Sequence, residues 1–130
     1  MTRRELEELI RDRYCISADY PFEGDGVTAV FRHGDNRKWF AIAMHIPRKR
    51  LGLSGDGYID VVNVKVAPEM TDLVGAESGV YPAYHMNRAH WLTLALDGSA
   101  SDETAAFLLG VSFDLTRKKI ARCRRREEMV

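Results

Sequence analysis

The sequence predicts an α+β fold, an antiparallel β-sheet with helices packed on one face. Two observations carry that expectation. Apolar residues recur at three- and four-residue spacing near both ends of the chain, the signature of helices with one buried stripe. Between residues 27 and 66, and again from 91 to 96, the period drops to two, with short polar, Gly-containing connections between the runs. At 130 residues the chain is the size of one domain, expected over residues 1–122, with a basic tail at 123–130 that frays.

Thr2-Arg3-Arg4-Glu5 reads as a capping box, in which the Thr hydroxyl and the Glu carboxylate each satisfy a free backbone N–H. Behind it Leu6, Leu9, Ile10 and Tyr14 form a helical stripe ending near Cys15, and YPFEGDG at 20–26 is a loop. VTAVF and KWFAIAMHI then flank HGDNR as the two strands of a hairpin. PRKRLGLSGDG is a longer loop with a basic start, and YIDVVNVKV is a third strand. Pro68 begins a short helix, PEMTDLVG. Residues 76–90 show no clear period, and WLTLALDG supplies a fourth strand ending in an Asp-Gly turn. A long helix opens at Ser101-Asp102-Glu103 and carries Ala105, Leu108, Leu109, Phe113, Thr116, Ile120 and Cys123 on its stripe. Gly110 inside it, costing about 1 kcal/mol relative to Ala, predicts the close approach of a neighbour.

Strict alternation assigns two faces. Phe40, Ile42, Met44 and Ile46 would join Val62, Val64, Val66, Leu92, Leu94 and Leu96 beneath the helices. Trp39, Ala41, Ala43 and His45 would join Ile59, Val61, Asn63, Lys65, Trp91, Thr93 and Ala95 on a face left open.

No apolar run approaches the roughly 20 residues of a membrane helix, so no membrane partner is expected. MTRRELEELIRDRY does not have the form of a signal peptide. Two cysteines, Cys15 and Cys123, are too few for a disulfide framework, and a reducing cytoplasm is the expected location. Net charge is zero but unevenly spread. Residues 32–65 and 114–130 each carry seven basic and three acidic side chains, +4 in each block. A partner with phosphates is therefore conceivable, with modest and salt-dependent affinity.

The densest chemistry is YHMNRAHW at 84–91. His85 and His90 are five apart, against three or four for helical metal-ligand pairs, and no metal or other cofactor is expected. Either histidine has the titration range of a general acid or base, with Asp97 or Asp60 to orient it. No nucleophile motif or phosphate loop accompanies them, which weighs against an enzyme. Nucleic acid has more behind it. Arg48-Lys49-Arg50 sit on an inter-strand loop, Lys65, Arg88 and His45 lie near the open face, and Trp39 and Trp91 are placed to stack on bases.

The run Gly79-Val80-Tyr81-Pro82-Ala83-Tyr84-His85-Met86-Asn87-Arg88-Ala89-His90-Trp91 resembles the MmcQ/YjbR family of small bacterial proteins. Thr93, Leu96-Asp97-Gly98 and Asp102 extend the match, with Val64-Lys65, Pro68-Glu69 and Lys38-Trp39-Phe40-Ala41 upstream. Ser112-Phe113 stands where the family has Ser-Tyr, and Arg88 where it has Lys. The resemblance covers residues 15–120 or so and implies a frataxin-like (CyaY-like) fold. It also implies a "double-wing" arrangement of two projections flanking a groove, and with it a DNA-binding label. Iron, which frataxins hold on an acidic first helix, fits poorly, because Glu5, Glu7, Glu8 and Asp12 alternate with four arginines.

Together these readings make Arg48, Lys49, Arg50, Lys65 and Arg88 the expected phosphate contacts, supported by His90 and Trp91. YHMNRAHW itself is expected to be a structural corner. Tyr84 and Trp91 would anchor it, His85 and Asn87 would satisfy backbone groups, and Arg88 and His90 would stand at the rim. A small anionic ligand or a protein partner on the same face is the alternative, and an enzyme using His85 or His90 the third reading.

Overall fold

The computed structural model describes residues 1–22, 24 and 27–118. Among them are three helices, α1 (Arg3–Tyr14), α2 (Met70–Val74) and α3 (Asp102–Thr116). Five strands accompany them: β1 (Ala29–Arg32), β2 (Trp39–Pro47), β3 (Tyr58–Lys65), β4 (Val80–Pro82) and β5 (Trp91–Ala95). The strands form one antiparallel sheet in the order β1-β2-β3-β5-β4. Residues 119–130, including Ile120, Cys123 and the expected tail, lie outside the described residues.

The capping box forms as read. The Thr2 hydroxyl accepts from the Glu5 N–H at 3.2 Å, and the Thr2 N–H donates to the Glu5 carboxylate at 2.8 Å. Leu6 and Ile10 of α1, with Ala105, Leu108 and Leu109 of α3, pack on one face of the sheet. Tyr14 stacks on Phe113 with ring centroids 4.1 Å apart, joining the two helices.

The assignment of faces along β2 needs correction. Phe31 pairs with Ala41 but Arg32 with Trp39, so Phe40 is an extra residue, a β-bulge. Phe40 and Ala41 are consequently both buried in the main core. Beyond the bulge the alternation is shifted by one. Ala41 and Ala43 oppose Val64 and Val62 beneath the helices, while Ile42, Met44 and Ile46 face the other way. His45 follows Ala43 to the helix-bearing side and pairs with Asp60 at the sheet's end, rather than lying on the outer face. The outer face is therefore more apolar than strict alternation predicts. Ile46, Ile59, Val61 and Ala95 form a second buried cluster there.

Strand β4 was not expected. Three residues ending in Pro82 give no readable period, and proline suits a sheet edge, where its missing N–H has no partner to serve. Gly79 leads into it at φ +79°, with its Cα against Ala100 so closely that a Cβ would lie 2.4 Å from the Ala100 nitrogen. Gly110 contradicts expectation, since a Cβ there would meet only the Tyr14 hydroxyl, at 3.6 Å.

Helix α3 stops at Thr116, earlier than its apolar stripe suggests, because the β1–β2 turn caps it. Asn36 Nδ2 donates to the Thr116 carbonyl at 2.9 Å, and the Thr116 hydroxyl lies 2.8 Å from His33 Nε2. Burial pushes the His33 imidazole below its ordinary value, against an opposing pull from Asp35.

Candidate functional site

The outer face is crossed by its own chain. Asn63, on β3, has Ile42 and Thr93 as its neighbours across the sheet. All three point outward, and the chain at 83–90 folds back over them. Asn63 Nδ2 donates to the Tyr84 carbonyl at 2.8 Å, and the Thr93 hydroxyl donates to Asn63 Oδ1 at 2.5 Å while accepting from the Tyr84 N–H at 2.9 Å. Both side chains are almost fully buried, so this three-bond clasp is a stiff attachment. A carbonyl can only accept, which fixes which end of the Asn63 amide carries the nitrogen.

YHMNRAHW is thus a strap held chiefly by its backbone. Tyr84 and Trp91 are both partly buried, but only the Tyr84 ring packs against a buried cluster, so Trp91 is not the core anchor expected. Asn87 behaves as read: its side chain accepts from the Ala89 N–H at 2.8 Å, and its carbonyl accepts from the His90 and Trp91 N–H groups. His85 instead adopts a left-handed backbone, φ 60°, with its ring 3.9 Å from that of Tyr84. Arg88 and His90 are exposed at the strap's end, as expected.

Beside the strap lies a hollow of about 490 Å³. Phe22 and Trp39 line one side, their rings edge to face at 6.1 Å, and Tyr84, His85 and Met86 line the other. Ile42, Met44 and Asn63 supply the sheet's contribution. Sequence reading missed this site because the bulge at Phe40 decides that Trp39, Ile42 and Met44 share a face. The one available signal was the aromatic and thioether content of segments 20–22, 39–44 and 84–86.

The expected phosphate contacts fall into two groups. Arg48, Lys49 and Arg50 form a single 3-10 turn directly after β2, with Lys49 and Arg50 exposed and Arg48 tied by Nε to the Ser54 carbonyl at 3.1 Å. Lys65 and Trp91 are paired at the opposite end of β3, with Arg88 and His90 in the adjoining strap. Seven residue steps along β3 at roughly 3.3 Å each separate the groups by about 23 Å. Both carrying loops nevertheless fold onto the outer face, since Leu51 and Leu53 pack on the same second cluster as Tyr84. Among the described residues, Lys49, Arg50, Lys65 and Arg88 make no ion pair.

Neither acid proposed as an orienter reaches His85 or His90. Asp60 holds His45 at 2.8 Å, and Asp97 accepts from the backbone and hydroxyl of Ser99, whose hydroxyl bond holds that carboxyl below its ordinary value. Among the described residues no group of three or more His, Cys, Asp or Glu side chains is placed to hold a metal ion. No helix among them is long and apolar enough to cross a membrane.

Fold and site define a small α+β protein whose outer sheet face is partly covered by its own chain. A family model described as YjbR matches residues 14–115, and the chain belongs to the YjbR family. Its relatives include "Uncharacterized protein YyaQ" of Bacillus subtilis (strain 168), 33% identical over 117 residues, which span 90% of this chain and 99% of that one. "Uncharacterized protein YjbR" of Escherichia coli (strain K12) is 40% identical over 53 residues, 40% of this chain and 45% of that one. A crystal structure of a Pseudomonas syringae protein superposes with a TM-score of 0.88 at 40% identity, covering 90% of this chain and all of that one. A Deinococcus radiodurans protein, DR2400, described by the family-model domain DUF419, shares the fold with a TM-score of 0.64 at 24% identity, over 99% of this chain and 88% of that one.

Proposed function

We infer that the protein is a DNA-binding module that lays its outer sheet face against the phosphate backbone. The observation that carries this reading is the placement, at both ends of one face, of cations that make no ion pair among the described residues. Lys49 and Arg50 stand at one end, Lys65 and Arg88 at the other. Their separation of about 23 Å corresponds to roughly seven base-pair steps of duplex. The loops at 48–57 and 83–90 are then the two projections of a double wing, with the sheet between them. His90 and Trp91 add contacts beside Arg88, and Arg48 positions the first loop through its own backbone bond. Nothing in this arrangement reads bases by edge, so binding is general rather than sequence-specific.

Fluorescence anisotropy of a labelled duplex, titrated at low and near-physiological salt, tests the reading. Four or five phosphate contacts give a salt slope of about −4, and removing Lys49 and Arg50 together lowers it by about 2. Absence of binding at low salt refutes it, and so does an unchanged slope in both the Lys49/Arg50→Ala and Lys65/Arg88→Ala variants.

The hollow itself favours a second reading, a module for a small ligand or a protein segment. Its described lining contains no Lys or Arg, so such a ligand would be neutral rather than anionic.

A further inference from the structure

We propose that the hollow beside the strap receives an unpaired nucleobase from the strand bound on the outer face. This rests on the DNA-binding reading above and extends it from phosphates to a ring.

Four features of the hollow select that occupant. Its volume, about 490 Å³, is in the ordinary range for a site that encloses a small molecule. Two aromatic pairs flank it, Phe22 with Trp39 and Tyr84 with His85, and Phe22, Trp39 and His85 keep part of their rings in solvent. Flat apolar walls of this kind favour a planar ring, which covers them by stacking. The third feature is Asn63. Its amide, almost fully buried, bonds the Tyr84 carbonyl and the Thr93 hydroxyl, so the clasp fixes the wall it gives the hollow, and a ring is held by its faces rather than by its edge. The fourth is the charge pattern. The described lining has no cation, whereas the exposed Lys38 adjoins Trp39 in the chain and Lys65 lies at the same end of the sheet. That pattern leaves phosphates on the rim and sends the neutral ring inward. A base still paired in a duplex keeps its edge occupied and its faces stacked, so the hollow discriminates in favour of an unpaired one.

The experiment compares three probes at one low salt concentration: a fully paired duplex, the same duplex with a single bulged thymidine, and free thymidine. Anisotropy follows the two DNAs and intrinsic tryptophan fluorescence follows all three. The bulged duplex is expected to bind about tenfold more tightly than the paired one and to quench Trp39, with the His85→Ala variant bringing the ratio toward one. His85 is exposed and outside the clasp, so that variant keeps the fold, and its far-ultraviolet circular dichroism verifies this. Equal binding of both duplexes overturns the base site and leaves the DNA-binding reading standing. Quenching by thymidine without binding of either duplex overturns both and makes a free heterocycle the occupant. No response to any probe overturns both outright.

Discussion

Replacing Thr93 by Val examines whether the strap is held as described. Thr93 is fully buried, and its hydroxyl makes two of the three bonds of the clasp. Valine has nearly the same shape, so cavity effects are small and the change is confined to polar satisfaction. It strands two groups, the Tyr84 N–H and Asn63 Oδ1. A buried polar group left unmade costs about 1–3 kcal/mol. The Tyr84 amide is only partly buried, and water recovers some of its share, so a total of about 2–3 kcal/mol is expected. With an unfolding entropy of roughly 2.1 cal/mol/K per residue, that lowers Tm by about 7–11 °C for a chain of this size. Differential scanning calorimetry measures it. A double-mutant cycle with Asn63→Ala should give a coupling energy of at least about 1 kcal/mol, because the two side chains share a bond. A loss of less than about 2 °C, or strictly additive effects, would show that the strap is held by something other than this clasp.

Other predictions follow from single contacts. Burial depresses the His33 pKa from 6.5, so the fold favours neutral imidazole and the unfolded chain binds more protons. Stability from this group is complete above pH 6.5 and declines as pH falls through the interval down to the folded value. Urea unfolding of His33→Gln at about pH 7.5 and about pH 5 should show a shallower decline than the parent protein, and an equal decline would remove His33 as its source. Gly110→Ala should stabilise by up to about 1 kcal/mol, since the new methyl meets the Tyr14 hydroxyl at ordinary contact distance. Gly79→Ala should cost at least about 2 kcal/mol through positive φ and collision with Ala100. Thermal melts of the pair order the two effects, and a destabilised Gly110→Ala would contradict the packing described around α3. Thr2→Ala removes the hydroxyl half of the capping box and should cost about 1 kcal/mol, a loss that vanishes if the first turn of α1 is already frayed.

Much of the architecture was legible because it is written in local terms. The capping box at Thr2 and Glu5, the opening of α3 at Ser101-Asp102-Glu103 and the period-two runs of β2, β3 and β5 depend on neighbours a few residues away. The element types read there carry over to three dimensions, although the faces assigned along β2 do not. The YHMNRAHW run was likewise enough to place the chain in its family. What the sequence by itself determined is thus the element types, most of their order, and the segment in which the chemistry is concentrated.

Only the tertiary structure decided which residues share the outer face. Alternation along β2 is a local rule, but the bulge at Phe40 turns that ring into the core against His33 of the same hairpin and Tyr14 and Phe113 of the two distant helices. One inserted residue turns every later side chain of the strand over, exchanging Ala41 and Ala43 for Ile42 and Met44 on the outer face. The end of α3 depends in the same way on Asn36 and His33, about 80 residues away in sequence. The separation of Arg48–Arg50 from Lys65 and Arg88 is set by the length of β3 and the pairing of its two ends, a distance that charge counts along a chain do not contain. The hollow between Trp39 and Tyr84 exists because side chains from four segments meet over one asparagine, and that meeting is a property of the folded chain alone.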